Sequence, residues 1–357
     1  MKRIVFSILL LLLGWEVQAQ LKFYDAIQFP LLGSATHYAG NRYERFPDSL
    51  KVVSRPALWH LSRNSAGMAI RFRSNTTRIG LKWEVLQNFH MNHMTDVGVK
   101  GLDLYCWEEE ENKWYFVNSA RPSGKVNEAI VIADMLPEER EFMLYTPLYD
   151  GLVSLHLGID SMAVIEQPHL KSPEREKPIV FYGTSIMQGG CASRPGMAHT
   201  NIISRRLNRE CINLGFSGNA FLDLEVARIL ADVDAGVYVL DFVPNASVEQ
   251  MKEYMETFYR IIRDKRPYTP IIFIEDPIFT HTRFSQSIAT EVRCKNETIN
   301  QLFSEQKKKG EKNIWLIHSD NMIGKDGEAT VDGIHFTDLG MMRYADLVCP
   351  MIKQCLK

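Results

Sequence analysis

Three side chains of the types that build an activated nucleophile lie far apart in this chain, each at a predicted turn. Ser185 follows an apolar, strand-like run at residues 179–182, and Gly183 lets the backbone turn sharply there. Asp332 and His335 stand three residues apart, just before a predicted helix. A neutral imidazole can take the proton of a serine hydroxyl, and a carboxylate can hold the ring's tautomer and orientation. These residues indicate acyl transfer, with Ser185 as nucleophile, His335 as base and Asp332 as orienting acid.

Two further turns carry groups that could stabilise an oxyanion. Gly215 follows the predicted strand at residues 212–214, and a glycine there lets its N–H approach a substrate oxygen closely. Asn245 follows the predicted strand at residues 237–240 and could donate from its side-chain amide, beside the N–H of Ser185. Each segment alone is also typical of an ordinary turn. The prediction therefore depends on their joint occurrence.

The elements that would position these turns alternate between strand and helix after residue 178. The predicted strands span residues 179–182, 212–214, 237–240, 271–274 and 314–317, and the predicted helices span residues 197–208, 222–231, 247–264, 285–309 and 338–353. Continuous apolar strands separated by helices are typical of a parallel sheet covered on both faces. Ligands bind outside the carboxyl ends of such strands, which is where the candidate residues are expected.

The N-terminal half has the shorter, alternating pattern of antiparallel strands. Residues 78–85 alternate between polar and apolar side chains, and similar short runs recur between residues 68 and 157. Many short strands separated by turn residues predict a β-sandwich or jelly roll. The polar, proline-rich residues 169–177 are predicted to be a linker. The predicted domains are therefore a β-sandwich at 20–168 and an α/β domain at 178–357.

The first 19 residues are predicted to be a secretory signal peptide. Lys2 and Arg3 precede the apolar run at residues 4–13, and Ala19 ends a small-residue cleavage site. This run is shorter than the roughly 20 residues that a helix needs to span a bilayer. We therefore expect a secreted or periplasmic protein without membrane insertion.

Composition argues against two classes of partner. The formal net charge is -2, so the chain lacks the basic field that neutralises nucleic-acid phosphates. The six cysteines lie far apart, without the spacing of a zinc site. His90 and His93 are three residues apart, but no carboxylate or cysteine at a matching spacing completes a metal site. No metal, organic cofactor or nucleic-acid partner is therefore predicted, and nothing indicates the oligomeric state.

The four turns together resemble the sequence blocks of the SGNH hydrolases, also called GDSL hydrolases. In order along the chain, the matching residues are Gly183-Thr184-Ser185, Gly215, Asn245 and Asp332-Gly333-Ile334-His335. The resemblance covers residues 178–357 and implies a flavodoxin-like three-layer α/β/α domain. It implies the serine, histidine and aspartate as catalytic residues. It also implies an oxyanion hole made of the serine N–H, the Gly215 N–H and the Asn245 amide.

Two positions depart from these blocks, and the N-terminal half adds a second resemblance. Thr184 stands where the first block usually has aspartate, and Val243-Pro244-Asn245-Ala246 stands where the third block is usually Gly-x-Asn-Asp. The segment Gly101-Leu102-Asp103-Leu104-Tyr105 is similar to the Gly-x-Asp-Leu-Tyr module that precedes certain bacterial SGNH esterases. Asp103 within this module is predicted to be structural rather than catalytic.

The arrangement resembles two-domain carbohydrate esterases. It implies a secreted serine esterase that removes short acyl groups, above all acetyl, from carbohydrate through an acyl-enzyme. Two alternatives remain open: hydrolysis of another small ester, such as a lipid, a thioester or a peptidoglycan O-acetyl group, or a glycan-binding protein with an inactive hydrolase fold. The complete set of Ser185, Asp332 and His335 favours an enzyme.

Overall fold

A computed structural model of the chain describes residues 20–36, 43–169 and 177–357. The predicted signal peptide at residues 1–19 lies outside these ranges, as does nearly all of the predicted linker. Within the described ranges, no helix is long and apolar enough to cross a membrane. An antiparallel β part is followed by an α/β part, in the order that the two sequence patterns predict.

The β part consists of two antiparallel sheets around one apolar core. Its strands are β1 (Leu21–Asp25), β2 (Leu31–Leu32), β3 (Ala69–Ser74), β4 (Ile79–Val85), β5 (Leu102–Glu108), β6 (Lys113–Ala120), β7 (Val126–Ile132), β8 (Arg140–Tyr145), β9 (Leu152–Asp160) and β10 (Ile165–Glu166). The first sheet has the order β1-β9-β4-β7 and the second β10-β3-β8-β5-β6, with β2 paired to β3. Side chains such as Ile70 and Leu144 from one sheet and Leu81 from the other share the core. The predicted β-sandwich is therefore confirmed.

Three short helices connect the strands of this part. They are α1 (Leu50–Val53), α2 (Pro56–Ser62) and α3 (Asp96–Lys100). Pro56 begins α2, where a residue without an N–H costs no intrahelical hydrogen bond. The Thr95 hydroxyl accepts the N–H of Gly98 at 3.1 Å and so caps α3, which packs against the α/β part.

The α/β part has a five-stranded parallel sheet between helices. Its strands are β11 (Ile179–Gly183), β12 (Cys211–Gly215), β13 (Val237–Asp241), β14 (Ile271–Ile274) and β15 (Ile314–Ile317). Its helices are α4 (Ser185–Gln188), α5 (His199–Leu207), α6 (Leu224–Asp232), α7 (Val248–Lys265), α8 (Gln286–Lys308) and α9 (Asp338–Cys355). The strand order β12-β11-β13-β14-β15 is the flavodoxin-like order. This confirms the predicted fold class.

Both faces of the parallel sheet are covered, which explains its continuous apolar strands. In β11, Ile179 and Phe181 contribute to the core on the side of α5 and α9. Val180 and Tyr182 alternate with them and contribute to the core on the side of α6 and α7. A strand buried on both faces has no polar alternation. The α5–α9 bounds agree with the predicted helices to within two residues at each end.

Asp103 of the Gly-x-Asp-Leu-Tyr segment joins the two parts of the molecule. Its buried carboxylate accepts hydrogen bonds from Arg194 Nη1 at 2.8 Å and from the Gly196 N–H at 2.7 Å, both beyond α4. The second carboxylate oxygen accepts the Ser119 hydroxyl at 2.6 Å. The Arg194 guanidinium also lies 3.6 Å from the Phe116 ring centroid. These contacts fit the structural role predicted for Asp103.

Candidate active site

Ser185, His335 and Asp332 form one hydrogen-bonded series at the carboxyl edge of the parallel sheet. His335 Nε2 lies 2.8 Å from Ser185 Oγ, and His335 Nδ1 lies 2.7 Å from Asp332 Oδ2. Asp332 Oδ1 accepts the backbone N–H groups of Ile334 at 3.1 Å and His335 at 2.8 Å. The three side chains predicted to act together are therefore in contact in the fold.

The charge of Asp332 fixes the tautomer of the histidine. Partial burial tends to raise the pKa of this carboxyl, but the hydrogen bonds from the His335 side chain and from the two backbone N–H groups outweigh it and lower the pKa to about 2. An ionised carboxylate only accepts hydrogen bonds, so His335 Nδ1 carries the ring proton. Nε2 then presents its lone pair to the Ser185 hydroxyl, as general-base catalysis requires.

The turn between β11 and α4 presents Ser185. Thr184 precedes it, and its hydroxyl accepts the Ile186 N–H at 3.2 Å. Threonine therefore caps α4 at the position where the family block usually has aspartate. Ser185 is the first residue of this helix, and its N–H has no hydrogen-bond partner within the described part of the chain. The Ser185 hydroxyl is thus accompanied by an unused backbone donor.

Gly190 lies against both His335 and the segment that carries Ser185. A Cβ at this position would lie 3.0 Å from His335 Cδ2, 3.0 Å from the Ser185 carbonyl oxygen and 2.8 Å from the Tyr149 hydroxyl oxygen. The Tyr149 hydroxyl donates to the same Ser185 carbonyl at 3.2 Å. Only glycine fits this contact without displacing a neighbour. Gly190 was not predicted from the sequence, where its only signal is the pair Gly189-Gly190.

The oxyanion role predicted for Gly215 does not fit the structure. Its N–H already donates to Asn213 Oδ1 at 3.0 Å. Its α-carbon packs on α4, where a Cβ would lie only 2.4 Å from the Gln188 nitrogen. Gly215 therefore serves close packing, and we correct the prediction to Gly218. Gly218 lines the cavity in front of Ser185, with φ +64° and an N–H that is unpaired among the described residues.

Asn245 lines the same cavity, after β13. Its Oδ1 accepts the Ala220 N–H at 3.3 Å, which orients the amide group. The Nδ2 group has no protein partner in the part of the chain that is described. Asn245 can therefore donate to a substrate oxygen, and its role in an oxyanion hole stays a prediction.

The cavity has a volume of about 410 Å³, with an apolar and a polar side. Phe279 and Ile288 contribute to the apolar lining. The polar lining includes Asp276, Glu291 and Lys295, of which Lys295 donates to the Pro244 carbonyl at 3.1 Å. A pocket of this size with both kinds of lining suits a small ester that carries polar groups.

Two buried carboxyl groups lie at the carboxyl ends of neighbouring strands, Asp241 as the last residue of β13 and Asp276 two residues after β14. Burial raises the pKa of Asp276 to about 7, although the charge of Lys295 opposes the shift. Burial likewise raises the pKa of Asp241 to about 7, against the hydrogen bond that Tyr344 donates at 2.7 Å. Each group has one oxygen without a protein partner in the described residues. Both carboxyls are therefore easily protonated near neutral pH.

Arg45 of the β part supports the carboxyl end of β12. It is fully buried and donates to the carbonyl oxygens of Asn213 at 2.8 Å and Gly215 at 3.0 Å. It also donates to the carbonyls of Leu61 and Asn64, both at 2.7 Å. Nothing in the local sequence around Arg45 links it to a strand end that follows 170 residues later, so this role had no sequence signal.

Two side chains outside this series lie next to it. The His93 ring, from the β part, has its centroid 5.4 Å from that of His335. Burial and the charge of Asp332 raise the pKa of the Cys191 thiol to about 12. A protonated thiol is a poor nucleophile, so Cys191 does not compete with the serine. His90 instead contacts Asp96, at 3.0 Å between Nδ1 and Oδ1, and does not join the group.

Two family models match the chain. Residues 176–353 match the GDSL-like lipase/acylhydrolase family, and residues 21–165 match the N-terminal GxDLY domain of SGNH-hydrolase-type esterases. A search of curated protein sequences found no match.

Solved structures show the same two-part arrangement. A protein from Bacteroides ovatus ATCC 8483, described as a GDSL-like lipase, is 38% identical, with a TM-score of 0.89 over 94% of this chain and 98% of that one. A salicylyl-acyltransferase from a tetracycline biosynthetic pathway is 14% identical, with a TM-score of 0.76 over 94% and 97%. A family two carbohydrate esterase from Clostridium thermocellum, in complex with cellohexaose, is 12% identical, with a TM-score of 0.59 over 82% and 93%. The latter two are similar in fold. With two matching family models and a relative at 38% identity, the chain belongs to the GDSL-like lipase/acylhydrolase family and carries the N-terminal domain of the SGNH-type esterases.

Proposed function

We propose that this GDSL-type acylhydrolase is a serine esterase in which Ser185 attacks the ester carbonyl, His335 is the base and Asp332 orients His335. One observation carries the proposal: Nε2 of the histidine lies 2.8 Å from the serine Oγ, while Nδ1 lies 2.7 Å from the carboxylate. This geometry leaves the lone pair of the imidazole on the hydroxyl that must lose its proton.

The reaction has two acyl-transfer steps. His335 takes the Ser185 proton as Oγ bonds to the carbonyl carbon, and it returns that proton to the leaving alcohol. Water then attacks the acyl-enzyme with the same histidine as base, which releases the acid. The Ser185 and Gly218 N–H groups and the Asn245 NH2 group can donate to the oxyanion, since none of these donors has another protein partner among the described residues. One such donor contributes about 10²–10³ in kcat in other acyl-transfer enzymes.

We further propose that the acyl group is short and that the alcohol is a carbohydrate. Polar side chains line much of the cavity of about 410 Å³, which suits a short acyl group on a hydroxyl-rich alcohol better than a purely apolar chain. The buried Asp276 and the nearby Lys295 supply polar atoms that suit the hydroxyl groups of a sugar. The carbohydrate esterase relative shares the fold, which supports this substrate class at the level of architecture.

The nucleophile is tested with Ser185→Ala. This variant should lose hydrolysis of p-nitrophenyl acetate and labelling by a fluorophosphonate probe, because both need the serine oxygen. Its circular dichroism spectrum and thermal unfolding should match the wild type. Undiminished turnover in a folded Ser185→Ala protein would remove the serine from the mechanism.

The substrate class is tested with a panel of esters. Acetate release from acetylated xylan and acetylated mannan should exceed the hydrolysis of p-nitrophenyl esters with acyl chains longer than butyryl. A preference for long chains would contradict the carbohydrate proposal. Binding of the glycans without any acetate release would instead favour the glycan-binding alternative.

We also propose that residues 1–19 direct export and are then removed, as their sequence pattern predicts. Expression of the full chain in a bacterial host should yield periplasmic or extracellular protein that begins near Gln20, as read by intact mass. Cytoplasmic protein with its first 19 residues intact would contradict this proposal.

A further inference from the structure

Four potential metal ligands meet beside the catalytic residues. His93, Cys191, Asp332 and His335 each offer one ligand atom, and these atoms all lie within 4.8 Å of one another. Imidazole nitrogen, cysteine sulfur and carboxylate oxygen are the ligands that zinc takes in proteins. Ligand atoms in a tetrahedral zinc site lie about 3.5 Å apart, given bonds of about 2.0–2.3 Å. Side-chain movements of about 1 Å would therefore close this group around an ion.

The backbone at Cys191 is a second, independent observation. Its φ of +65° lies in the left-handed region, which is uncommon for a residue with a side chain. Such conformations concentrate at functional sites, where the surrounding structure holds them in place. The thiol is buried and forms no disulfide within the described residues, and the esterase reaction does not use it. The strained residue thus directs a sulfur atom to a place where esterase chemistry alone does not need one.

The two ligands outside the catalytic series are held by the contact between the β part and the α/β part. The Thr95 hydroxyl, two residues after His93, donates to the Ser193 carbonyl at 2.6 Å, two residues after Cys191. Ser193 in turn donates its N–H at 2.9 Å and its hydroxyl at 2.6 Å to Asp338 at the start of α9. Because neither segment is an isolated loop, little ordering is left to occur when an ion binds.

We propose that these four side chains form a zinc site whose occupation switches the esterase off. Zinc on Nε2 of His335 would occupy the lone pair that the serine proton needs. Zinc on Nδ1 would displace the ring proton shared with Asp332 and break the alignment of the ring. Either mode removes the general base. The Asp332 side chain is 35% exposed, which gives the ion a route from solvent.

The donor set also predicts selectivity among cations. Thiol and imidazole ligands suit zinc and cobalt, whereas magnesium and calcium require oxygen ligands. Zn²⁺ should therefore inhibit hydrolysis of p-nitrophenyl acetate at concentrations where Mg²⁺ and Ca²⁺ have no effect, and a chelator should restore the rate. Equal inhibition by Mg²⁺ would overturn the proposed site.

Direct binding is tested by adding Co²⁺ to the protein without the predicted signal peptide at residues 1–19. One ion per chain should bind and produce the charge-transfer absorption of a thiolate bound to cobalt. The band should be absent in Cys191→Ser and present in the control Cys294→Ser. Absence of the band in the wild type overturns the site. The cobalt measurement needs no esterase activity, whereas the inhibition assay rests on the proposed function. The two experiments therefore distinguish failure of the zinc site from failure of the proposed function.

Inhibition is tested with one variant from each part of the molecule. Cys191→Ser and His93→Gln, each compared with its own zinc-free rate, should need more zinc for half inhibition than the wild type. The increase should exceed the roughly 10–100-fold that loss of an outer-shell partner costs. His90→Gln is the matched control and should leave zinc sensitivity unchanged. Wild-type zinc sensitivity in either Cys191→Ser or His93→Gln overturns the four-ligand site.

Discussion

Asp332→Asn is expected to damage catalysis more than Asp332→Ala. In the wild type, Oδ1 accepts two backbone N–H groups, at 3.1 and 2.8 Å, and Oδ2 accepts His335 Nδ1–H at 2.7 Å. An asparagine must keep its carbonyl oxygen on the two backbone donors, because an NH2 group there would face two N–H groups. Its NH2 group then donates to Nδ1, and the ring proton moves to Nε2. That proton faces the Ser185 hydroxyl and removes the base.

The size of the loss depends on how firmly the wrong tautomer is held. In a buried triad, replacing the aspartate by asparagine lowers kcat about 10⁴-fold. This equals about 5.4 kcal/mol at 1.36 kcal/mol per factor of ten. The Asp332 side chain is 35% exposed, so water can compete with the amide for the ring. We therefore expect a loss of about 10³ for Asp332→Asn. In Asp332→Ala, water can bind Nδ1 of His335 and both tautomers of the ring stay accessible. A loss of about 10² in kcat is therefore expected for this variant.

The assay is kcat/KM for p-nitrophenyl acetate, measured for both variants between pH 6 and 9, with thermal unfolding as the control for folding. The comparison separates control of the tautomer from orientation of the ring, because both variants lose the carboxylate charge. An asparagine variant as active as the alanine variant, or more active, would refute the reasoning. It would mean that the two backbone N–H groups do not hold the side-chain carbonyl.

Three further outcomes are expected. Gly190→Ala should lower kcat about 100-fold by displacing the base, whereas Gly124→Ala, whose Cβ would meet nothing within 4 Å, should not. Asn245→Ala should lower kcat about 10²–10³-fold with little change in KM, and an unchanged kcat would remove it from the oxyanion hole. The folded-state pKa of about 7 at Asp241 exceeds the usual 3.8, so its contribution to stability is complete below pH 3.8 and is lost as pH rises through 7. Asp241→Asn should therefore unfold at the wild-type temperature near pH 4 and at a higher temperature than the wild type at pH 8. A difference in unfolding temperature that stays constant across this range would show that the Asp241 carboxyl does not titrate.

Much of the fold was predictable because local periodicity reflects which faces of an element are buried. In β11, apolar residues such as Val180 and Phe181 follow one another because both faces of the strand are covered. The alternating pattern of β4 reflects a strand with one face in the sandwich core. Ser185 was predictable for a related reason, because carboxyl ends of parallel strands meet at one edge of a sheet.

The choice between Gly215 and Gly218 needed hydrogen bonds that the sequence does not show. Both glycines follow β12 closely, and either could present an N–H group at the edge of the sheet. The side chain of Asn213, two residues earlier, takes the Gly215 N–H and leaves that of Gly218 available. Which backbone group a nearby side chain uses depends on its rotamer and packing, so periodicity does not decide it.

The sequence by itself determined the two fold classes, the order of the elements and the candidate residues Ser185, His335 and Asp332. These depend on local patterns and on the general geometry of parallel sheets. The tertiary structure alone decided what surrounds the base. His93 and Cys191 lie far apart in the chain, yet packing of the β part on the α/β part places His93 beside His335, where the fold of the α/β part also brings Cys191. Spacing in a sequence can reveal ligands on one element, whereas ligands on separate elements become neighbours only when those elements pack.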